Sequence, residues 1–534
     1  MRLFIIHAII ISYVFIRLLF IANINVLAAD TLIKRANKAA TDYCNEIEQL
    51  AVWAEKNHLR QEARLTRLIL LPSRPNNIFI KPFPREAGTL DLPKGLPTSL
   101  PTRYAAEFNK KNVSKNDETN NTEPPKPTPT TTTVGKELSP REIWQIQLRQ
   151  LRIDYAKRLE SMAKTAVKND RGTLAIQMAI AGLQANPDNK LFRNVFGYEK
   201  IKLKNSKKEE WCSHWEAEHL KNGWVNHPVF GWMPEHAVKR YENGERYCNG
   251  KWISEEEDTA YHQRSIEQGW NIKTMHYDIL CTHSHEEGVR ASRLLEDLYF
   301  VWHLICFRYI ATDTQLVTLF EDRPVSFMPV RYKVRIYRDK TEYDAATNAP
   351  DTGGIYKISY IKGKQMRGTA HFPGGSRSNG TLFHEGTHQL FQENCSSGRG
   401  INHWLIEGAA TFFETLHKEG DWFVVGNKES GRIRSTPSLN NRYSIGEYCI
   451  MNVSKYCSVG STGDGFYSRG DFYNHSCALF HFFMFYDDGE YRDALIMLLR
   501  LFYNGKDDSD TLPQFTKKTY RELEKEFNDY LQSP

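Results

Sequence analysis

The chain alternates between stretches with a regular apolar pattern and stretches without one. Residues 30–70 have helical character. A second helix is predicted to begin at Ser139, because Ser followed three residues later by Glu142, with Pro140 first in the turn, is typical of a helix start. A further helix is predicted from about Thr173 to Ala185. In the helix after Ser139, apolar residues recur at steps of three or four, as on one helical face: Trp144, Leu148, Leu151, Tyr155, Leu159 and Met162.

Changes in composition divide this first half of the chain. Segment 109–139 is mainly Asn, Lys, Thr and Pro, so it is predicted to be a disordered linker after an N-terminal helical and irregular region, 29–108. Residues 140–204 are interpreted as a helical hairpin, either an ordinary one or a single unit similar to a tetratricopeptide repeat. Residues 205–270 are rich in Trp and Gly and predict short strands, in either a compact spacer or a sugar-binding platform.

From residue 271 to 534 the pattern mixes strands and helices. Ile272 to Thr282 alternates like a strand, and Glu286 to Ile310 is predicted to be one long apolar helix. Three more strands are predicted, at Tyr332 to Tyr337, Gly354 to Tyr360 and Met366 to Phe372. The predicted class is therefore α+β, with a mixed sheet and helices in this region.

The first 28 residues favour export. Arg2 is followed by an almost wholly apolar stretch to Leu27, and Val26-Leu27-Ala28 fits a cleavage site, so 1–28 is predicted to be a signal peptide. An uncleaved membrane anchor is the alternative, and Arg17 fits both poorly. Export predicts a periplasmic or extracellular protein in which some of the nine cysteines pair, with Cys449 and Cys457 as one candidate pair.

The charge balance narrows the partners. Lys and Arg number 70 and Asp and Glu number 64, so the net charge is +6. This charge is too small to indicate the basic surface that nucleic-acid binding requires. We expect no nucleic-acid partner, and membrane contact only if the N-terminal segment remains attached. The sequence carries no signal for an oligomeric state.

One motif carries the candidate chemistry. His384-Glu385-Gly386-Thr387-His388 is an H-E-x-x-H sequence, and two His four residues apart on a helix can reach one ion. Catalytic zinc takes three protein ligands and keeps one open position. Glu407, within the apolar segment 404–414, is predicted to be the third ligand, and the intervening 18 residues allow a turn between two helices. The prediction is one bound Zn²⁺, with Glu385 as general base.

The segments around this motif resemble a known enzyme family. Gln389 and Phe391 after the motif, and the run Trp404-Leu405-x-Glu407-Gly408-x-Ala410, are similar to the zinc helices of aminopeptidase N and other gluzincins. The stretch from about 270 to 490 also resembles the peptidase-MA-like family of exported bacterial proteins. Gly353-Gly354-x-Tyr356 and the run from Tyr473 to Leu479 look like that family's outer elements. The resemblance implies a gluzincin-like fold and peptidase activity.

The same resemblance and the helical spacing give further candidates. Gluzincins similar to aminopeptidase N use a Tyr about 65 residues after the third ligand, which matches Tyr473, with Tyr467 in reserve. Thr411 and Glu414 lie four and seven residues after Glu407, on the same helical face, and are predicted to orient the ligands. The Gly-Ala-Met-Glu-Asn strand of the aminopeptidases is missing, which favours internal cleavage of a peptide or protein substrate.

Two other functions remain compatible with these residues. An exported binding protein with a silent zinc site would use the hairpin and the Trp-rich segment. A zinc hydrolase of non-peptide amides or esters would use the same motif, because the ligands do not determine the substrate.

Overall fold

A computed structural model gives both helices and small mixed sheets, so the predicted α+β class is confirmed. The structure describes residues 26–70, 76–102, 104, 137–203, 208–327, 330–358, 360–361, 364–365, 367–375, 378–395, 399–436, 442–451 and 468–532. The predicted signal peptide up to residue 25, most of the predicted linker, Tyr467 and Cys457 lie outside these residues. Within them, no helix is both long and apolar enough to cross a membrane.

The N-terminal part of the chain is helical. Its elements are α1 (Val26–Lys56), α2 (Arg60–Arg67), β1 (Ile78–Ile80), α3 (Pro140–Lys168), α4 (Gly172–Ala185) and α5 (Lys190–Val195). The predicted start of α3 is confirmed, because the Ser139 side chain accepts from the Glu142 amide and the Glu142 side chain bonds back to the Ser139 amide. Helices α3 and α4 pack against each other, and the predicted range 140–204 also contains α5 and a strand, Tyr198–Lys202. Helix α1 packs on α3, where the rings of Tyr43 and Tyr155 stack 4.1 Å apart.

The Trp-rich segment folds as three successive units, each a two-stranded hairpin followed by a helix. They are β2 (Tyr198–Lys202), β3 (Glu209–Ser213) and α6 (His214–Lys221); β4 (Trp224–His227), β5 (Gly231–Pro234) and α7 (Val238–Glu242); and β6 (Glu245–Cys248), β7 (Lys251–Ser254) and α8 (Glu255–His262). A glycine with positive φ precedes the first strand of each unit: Gly197, Gly223 and Gly244. The predicted short strands are present, but their threefold repetition was not predicted.

A five-stranded mixed sheet forms the centre of the C-terminal half. The elements in and around it are β8 (Trp270–Lys273), β9 (Tyr277–Cys281), α9 (His285–Ile305), α10 (Phe307–Ile310), α11 (Asp313–Phe320), β10 (Tyr332–Tyr337), α12 (Lys340–Thr347), β11 (Ile355–Lys357), β12 (Tyr360–Ile361), β13 (Lys364–Gln365) and β14 (Thr369–Pro373). The strand order is β11-β14-β10-β9-β8, with β10 parallel to both its neighbours and the two outer strands antiparallel. Strand β11 therefore lies at an edge of the sheet.

Four predicted elements of this half are wrong in extent. The single strand from Ile272 to Thr282 is two strands, β8 and β9, because Thr274 and Tyr277 exchange main-chain and hydroxyl hydrogen bonds across a tight turn. The long helix after Glu286 breaks at Cys306 between α9 and α10. The strands after Gly354 are shorter than predicted, and β12 and β13 form a separate two-stranded ladder.

The remaining elements are mostly helices that share one core with the sheet. They are α13 (Asn379–Glu393), α14 (Trp404–Phe413), β15 (His417–Glu419), β16 (Trp422–Val425), α15 (Gly431–Arg434), α16 (Ile445–Cys449), α17 (Arg469–Phe485), α18 (Arg492–Phe502), α19 (Thr511–Thr516) and α20 (Tyr520–Gln532). Strand β1 pairs with β16, so the N-terminal region contributes a strand beside these helices. A continuous apolar core extends from Leu32 in α1 to Tyr530 in α20.

Close helix contacts explain two glycines of the motif segments. A Cβ on Gly386 of α13 would lie 2.8 Å from a methyl group of Leu298 in α9. A Cβ on Gly408 of α14 would lie 2.9 Å from the carbonyl oxygen of Ser476 in α17. Real Cβ atoms rarely come so close, so both positions require a residue without a side chain for the helices to pack at this distance.

Candidate metal centre

Two packed helices bring three side chains of metal-ligand type together. His384 and His388 lie one turn apart on α13, and Glu407 lies on α14. The Nε2 atoms of His384 and His388 are 3.3 and 3.6 Å from Glu407 Oε2. One ligand atom from each residue lies within 4.8 Å of the others. The three residues that the sequence predicted as ligands are therefore grouped so that they could hold a metal ion.

The site is enclosed by the protein. His384 and Glu407 are 8% and 5% exposed, and all ten residues of α14 are buried. Burial lowers the pKa of His388 to about 4. Burial also lowers the pKa of His384, but its hydrogen bonds to Glu407 and Glu414 outweigh this and raise the pKa above its usual value. The two carboxylates thus stabilise a positive charge at this point.

Glu414 contacts the imidazole of His384 at the ring nitrogen that does not face Glu407. Its Oε2 atom is 3.1 Å from Nδ1 of His384. In the neutral imidazole, a carboxylate at this distance keeps the proton on Nδ1, so Nε2 is the ring nitrogen that can bind a metal ion. Burial opposes the charge on Glu414, but the hydrogen bonds from His384 and Arg432 hold the pKa of this carboxyl below its usual value.

Arg432 was not predicted from the sequence. Its guanidinium hydrogen-bonds both carboxylate oxygens of Glu414, with Nη2 3.2 Å from Oε2, and it lies 5.6 Å from the ring centre of Tyr473. Arg432 is on the short helix α15, separated from α14 by the β15–β16 hairpin, and no local pattern marks it. Arg432 fixes Glu414 in place and lies between Glu414 and Tyr473, which were both predicted as site residues.

Glu385 lies on α13 next to the first imidazole and is bound to the edge of the sheet. Its Oε2 accepts a hydrogen bond from the main-chain amide of Tyr356 in β11 at 2.8 Å. Burial raises the pKa of Glu385, and the charge of Glu407 adds to this, while His384 and the Tyr356 amide oppose it. The structure therefore joins the motif to the edge strand β11 through one carboxylate.

Tyr473 and Thr411 occupy different positions relative to the ligands. The ring of Tyr473, on α17, stacks on the His384 ring with 6.0 Å between the centres, and burial and the nearby Glu407 raise its pKa. The hydroxyl of Thr411 donates to the main-chain carbonyl of Glu407 at 2.6 Å, within its own helix. Tyr473 thus reaches the candidate site itself, whereas Thr411 contacts the backbone of the Glu407 residue.

Asp507 fixes the loop that leads into α14 and was not predicted. Its Oδ2 atom accepts hydrogen bonds from the amides of Ile401 and Asn402 and from Nδ2 of Asn402, at 3.2, 3.1 and 2.7 Å. Asp507 comes from the loop after α18, about a hundred residues further along the chain, so only the folded chain brings it here. These bonds fix the residues just before α14 and so help to position Glu407.

We expect Asp507→Ala to destabilise the protein. The change leaves the buried amide and side chain of Asn402 without their acceptor, which costs about 3 kcal/mol of unfolding free energy. Urea unfolding measures the loss. Asp421→Ala, at a side chain that is 83% exposed, is the control and should change stability by less than about 0.5 kcal/mol. Equal effects of the two substitutions would contradict the role given to Asp507.

Comparisons with family models and with curated proteins gave no match.

Proposed function

We propose that the protein is a zinc-dependent hydrolase that cleaves peptide bonds. The observation that carries the proposal is the convergence of His384, His388 and Glu407 beside a buried Glu385. A metal-binding group with an adjacent carboxylate that is not one of its ligands is the arrangement that metal-assisted hydrolysis requires.

The donor set fits zinc. Two imidazole nitrogens and one carboxylate are ligands that catalytic Zn²⁺ takes in proteins, with a further position left for water. Glu414 supports the fit, because its carboxylate keeps a proton on Nδ1 of His384 and so makes Nε2 the nitrogen available to the ion. When bound, Zn²⁺ would supply Lewis-acid chemistry, which acidifies water and polarises a carbonyl group.

The residues around this position have separate roles in the proposed reaction. Glu385 accepts the proton of the attacking water and passes it to the leaving nitrogen, and the Tyr356 amide keeps its carboxylate aimed at the site. Tyr473 keeps its hydroxyl proton because its pKa is raised, and it donates a hydrogen bond to the developing oxyanion. Glu414 and Arg432 keep His384 in position and do not touch the substrate.

The edge strand favours a peptide over an ester or a small amide. The Tyr356 amide donates to Glu385, so it points to the side of β11 that has no partner strand in the described sheet, and by the alternation of an antiparallel ladder its carbonyl does too. An extended peptide that adds to β11 would pass directly beside Glu385. Small esters have no backbone to pair with this edge. Export of the protein and membership of the gluzincin family belong to the same proposal.

The support behind His384 gives a testable consequence. Glu414→Gln and Arg432→Ala should each weaken zinc binding about 10- to 100-fold, because the carboxylate that orients His384 is lost or displaced. Competition with a chromophoric chelator measures the affinity. Arg434→Ala is the matched control, since Arg434 lies on the same short helix but is 67% exposed and contacts no site residue in the described structure. If all three variants bind zinc like the parent, the orienting role is wrong.

Two measurements test the proposed function. Anomalous diffraction at the zinc edge should give a peak bonded to Nε2 of both histidines and to Glu407, and the purified protein should then cleave a mixture of unfolded proteins. Cleavage of aryl esters without cleavage of peptides would instead favour a non-peptide hydrolase. A zinc peak without cleavage of either substrate would favour the binding-protein alternative.

A further inference from the structure

A second group of ligand-type side chains lies in the third unit of the Trp-rich segment. Cys248 is the last residue of β6, and Asp258 and His262 lie four residues apart on one face of α8. Nε2 of His262 is 3.9 Å from Sγ of Cys248 and 3.3 Å from Oδ1 of Asp258. One ligand atom from each of the three lies within 4.8 Å of the others.

Hydrogen bonds from neighbouring residues orient the side chains of His262 and Asp258. Nδ1 of His262 donates to the carbonyl oxygen of Gln268, which can only accept, so in the neutral imidazole the lone pair is on Nε2, the nitrogen that faces Asp258 and Cys248. Oδ2 of Asp258 accepts from the indole of Trp270 at 2.7 Å, which leaves Oδ1 directed at His262. Nδ1 of His262 and Oδ2 of Asp258 are therefore held by hydrogen bonds, and Nε2 of His262 and Oδ1 of Asp258 face each other.

The other two units fold without these residues. The strand registers align Ser213, Pro234 and Ser254, each the residue before the helical turns of its unit, and so identify the matching positions. They hold Ile201, Ala217 and Lys221 in the first unit, and His227, Val238 and Glu242 in the second. Ile201 and Ala217 belong to a small apolar core. The second unit has an imidazole and a carboxylate at two of these places, with Nε2 of His227 3.7 Å from Oε1 of Glu242. Neither unit has all three ligand types, so the hairpin-and-helix fold does not need their combination.

Asp258 and Cys248 are buried at positions that are apolar in the first unit. Asp258 is 4% exposed and Cys248 is 8% exposed. Burial opposes the charge of Asp258, but its hydrogen bonds with His262 and Trp270 hold the pKa of this carboxyl below its usual value, so an anionic oxygen faces the group. His285 lies within electrostatic range of Asp258 and His262, and its Nδ1 is buried without a hydrogen-bond partner in the part of the chain that is described.

We propose that Cys248, Asp258 and His262 form a second metal site, which takes a divalent cation such as zinc. Thiolate, imidazole and carboxylate are together typical zinc ligands, and a thiolate disfavours magnesium and calcium. The ion would tie the β6–β7 hairpin to α8 and, through Gln268 and Trp270, to the first strand of the main sheet. This inference does not depend on the proposed hydrolase activity.

Cobalt substitution tests it with a signal that the first site cannot give. The metal-free full-length protein is titrated with Co²⁺ under reducing conditions and followed by absorption. A cysteine ligand produces a sulfur-to-cobalt charge-transfer band in the near ultraviolet, whereas His384, His388 and Glu407 contain no sulfur. We expect the band in the parent and in His388→Ala, with one equivalent of cobalt fewer in the latter.

Two serine substitutions make the assignment specific. Cys248→Ser should lose the band and one equivalent of cobalt, and Cys212→Ser, at a buried cysteine of the first unit, should keep both. Because the parent and His388→Ala already report the band, an unstable variant does not remove the test. Absence of the band in the parent, or its persistence in Cys248→Ser, would overturn the second site.

Discussion

Glu385→Gln should remove hydrolysis while zinc stays bound. The amide side chain cannot accept the proton of the attacking water, so kcat/KM should fall roughly 10²- to 10⁴-fold. Glu385 is not one of the three converging residues, and the amide oxygen can still accept from the Tyr356 amide, so the geometry of the site should be kept. Steady-state cleavage of a fluorogenic peptide, beside elemental analysis of both proteins, measures the two properties.

The control for this substitution makes the same chemical change at the surface. Glu429 pairs only distantly with Arg434, and its side chain is 74% exposed, so Glu429→Gln should cleave like the parent. A Glu385→Gln protein that retains zinc and more than about a tenth of the parent rate would contradict the role of general base, since proton transfer contributes at least about a hundredfold.

His388→Ala should remove both the metal of the first site and the activity. The side chain supplies one of three ligand atoms, and Glu407 and His384 alone form too incomplete a site to retain the ion at ordinary concentrations. If the ion supplies about 4 kcal/mol of transition-state stabilisation, the loss corresponds to roughly a thousandfold in rate. Elemental analysis should find one zinc fewer per chain than in the parent.

An exposed histidine provides the comparison. His417 is 48% exposed and pairs with Glu419 in a surface hairpin, so His417→Ala should keep zinc and activity. A His388→Ala protein with full zinc content and full activity would contradict the assignment of the site. The two main substitutions also separate two roles, because only His388→Ala should change the metal content.

The local parts of this site could be predicted from the sequence. Two His four residues apart on a helix are neighbours whatever the fold, and an apolar segment 18 residues later is long enough to return beside them. Glu414 follows Glu407 on the same face and was predicted for that reason. The spacing did not show that Thr411 differs from Glu414. The hydroxyl of Thr411 hydrogen-bonds the main chain of α14 and not a ligand side chain.

The parts that depend on distant segments could not be predicted. Arg432, Asp507 and the Tyr356 amide reach the site from other elements, and a main-chain donor leaves no mark in the sequence. The strand break at Thr274 was missed because the turn contains neither Gly nor Pro. The threefold repeat had a visible signal in the nearly even spacing of Trp211, Trp232 and Trp252. The longer first hairpin makes the glycines that precede the units, Gly197, Gly223 and Gly244, unevenly spaced.

Zinc-dependent hydrolysis of peptide bonds by this chain can be tested on the full-length protein. A mixture of unfolded proteins is incubated with the full-length protein as purified, after treatment with a chelator, and after zinc is restored, and new peptide termini are identified by mass spectrometry. We expect new termini with the untreated protein, none after chelation, and their return with zinc. If the zinc-loaded protein produces no new termini, or if chelation leaves cleavage unchanged, the account of a zinc peptidase is wrong.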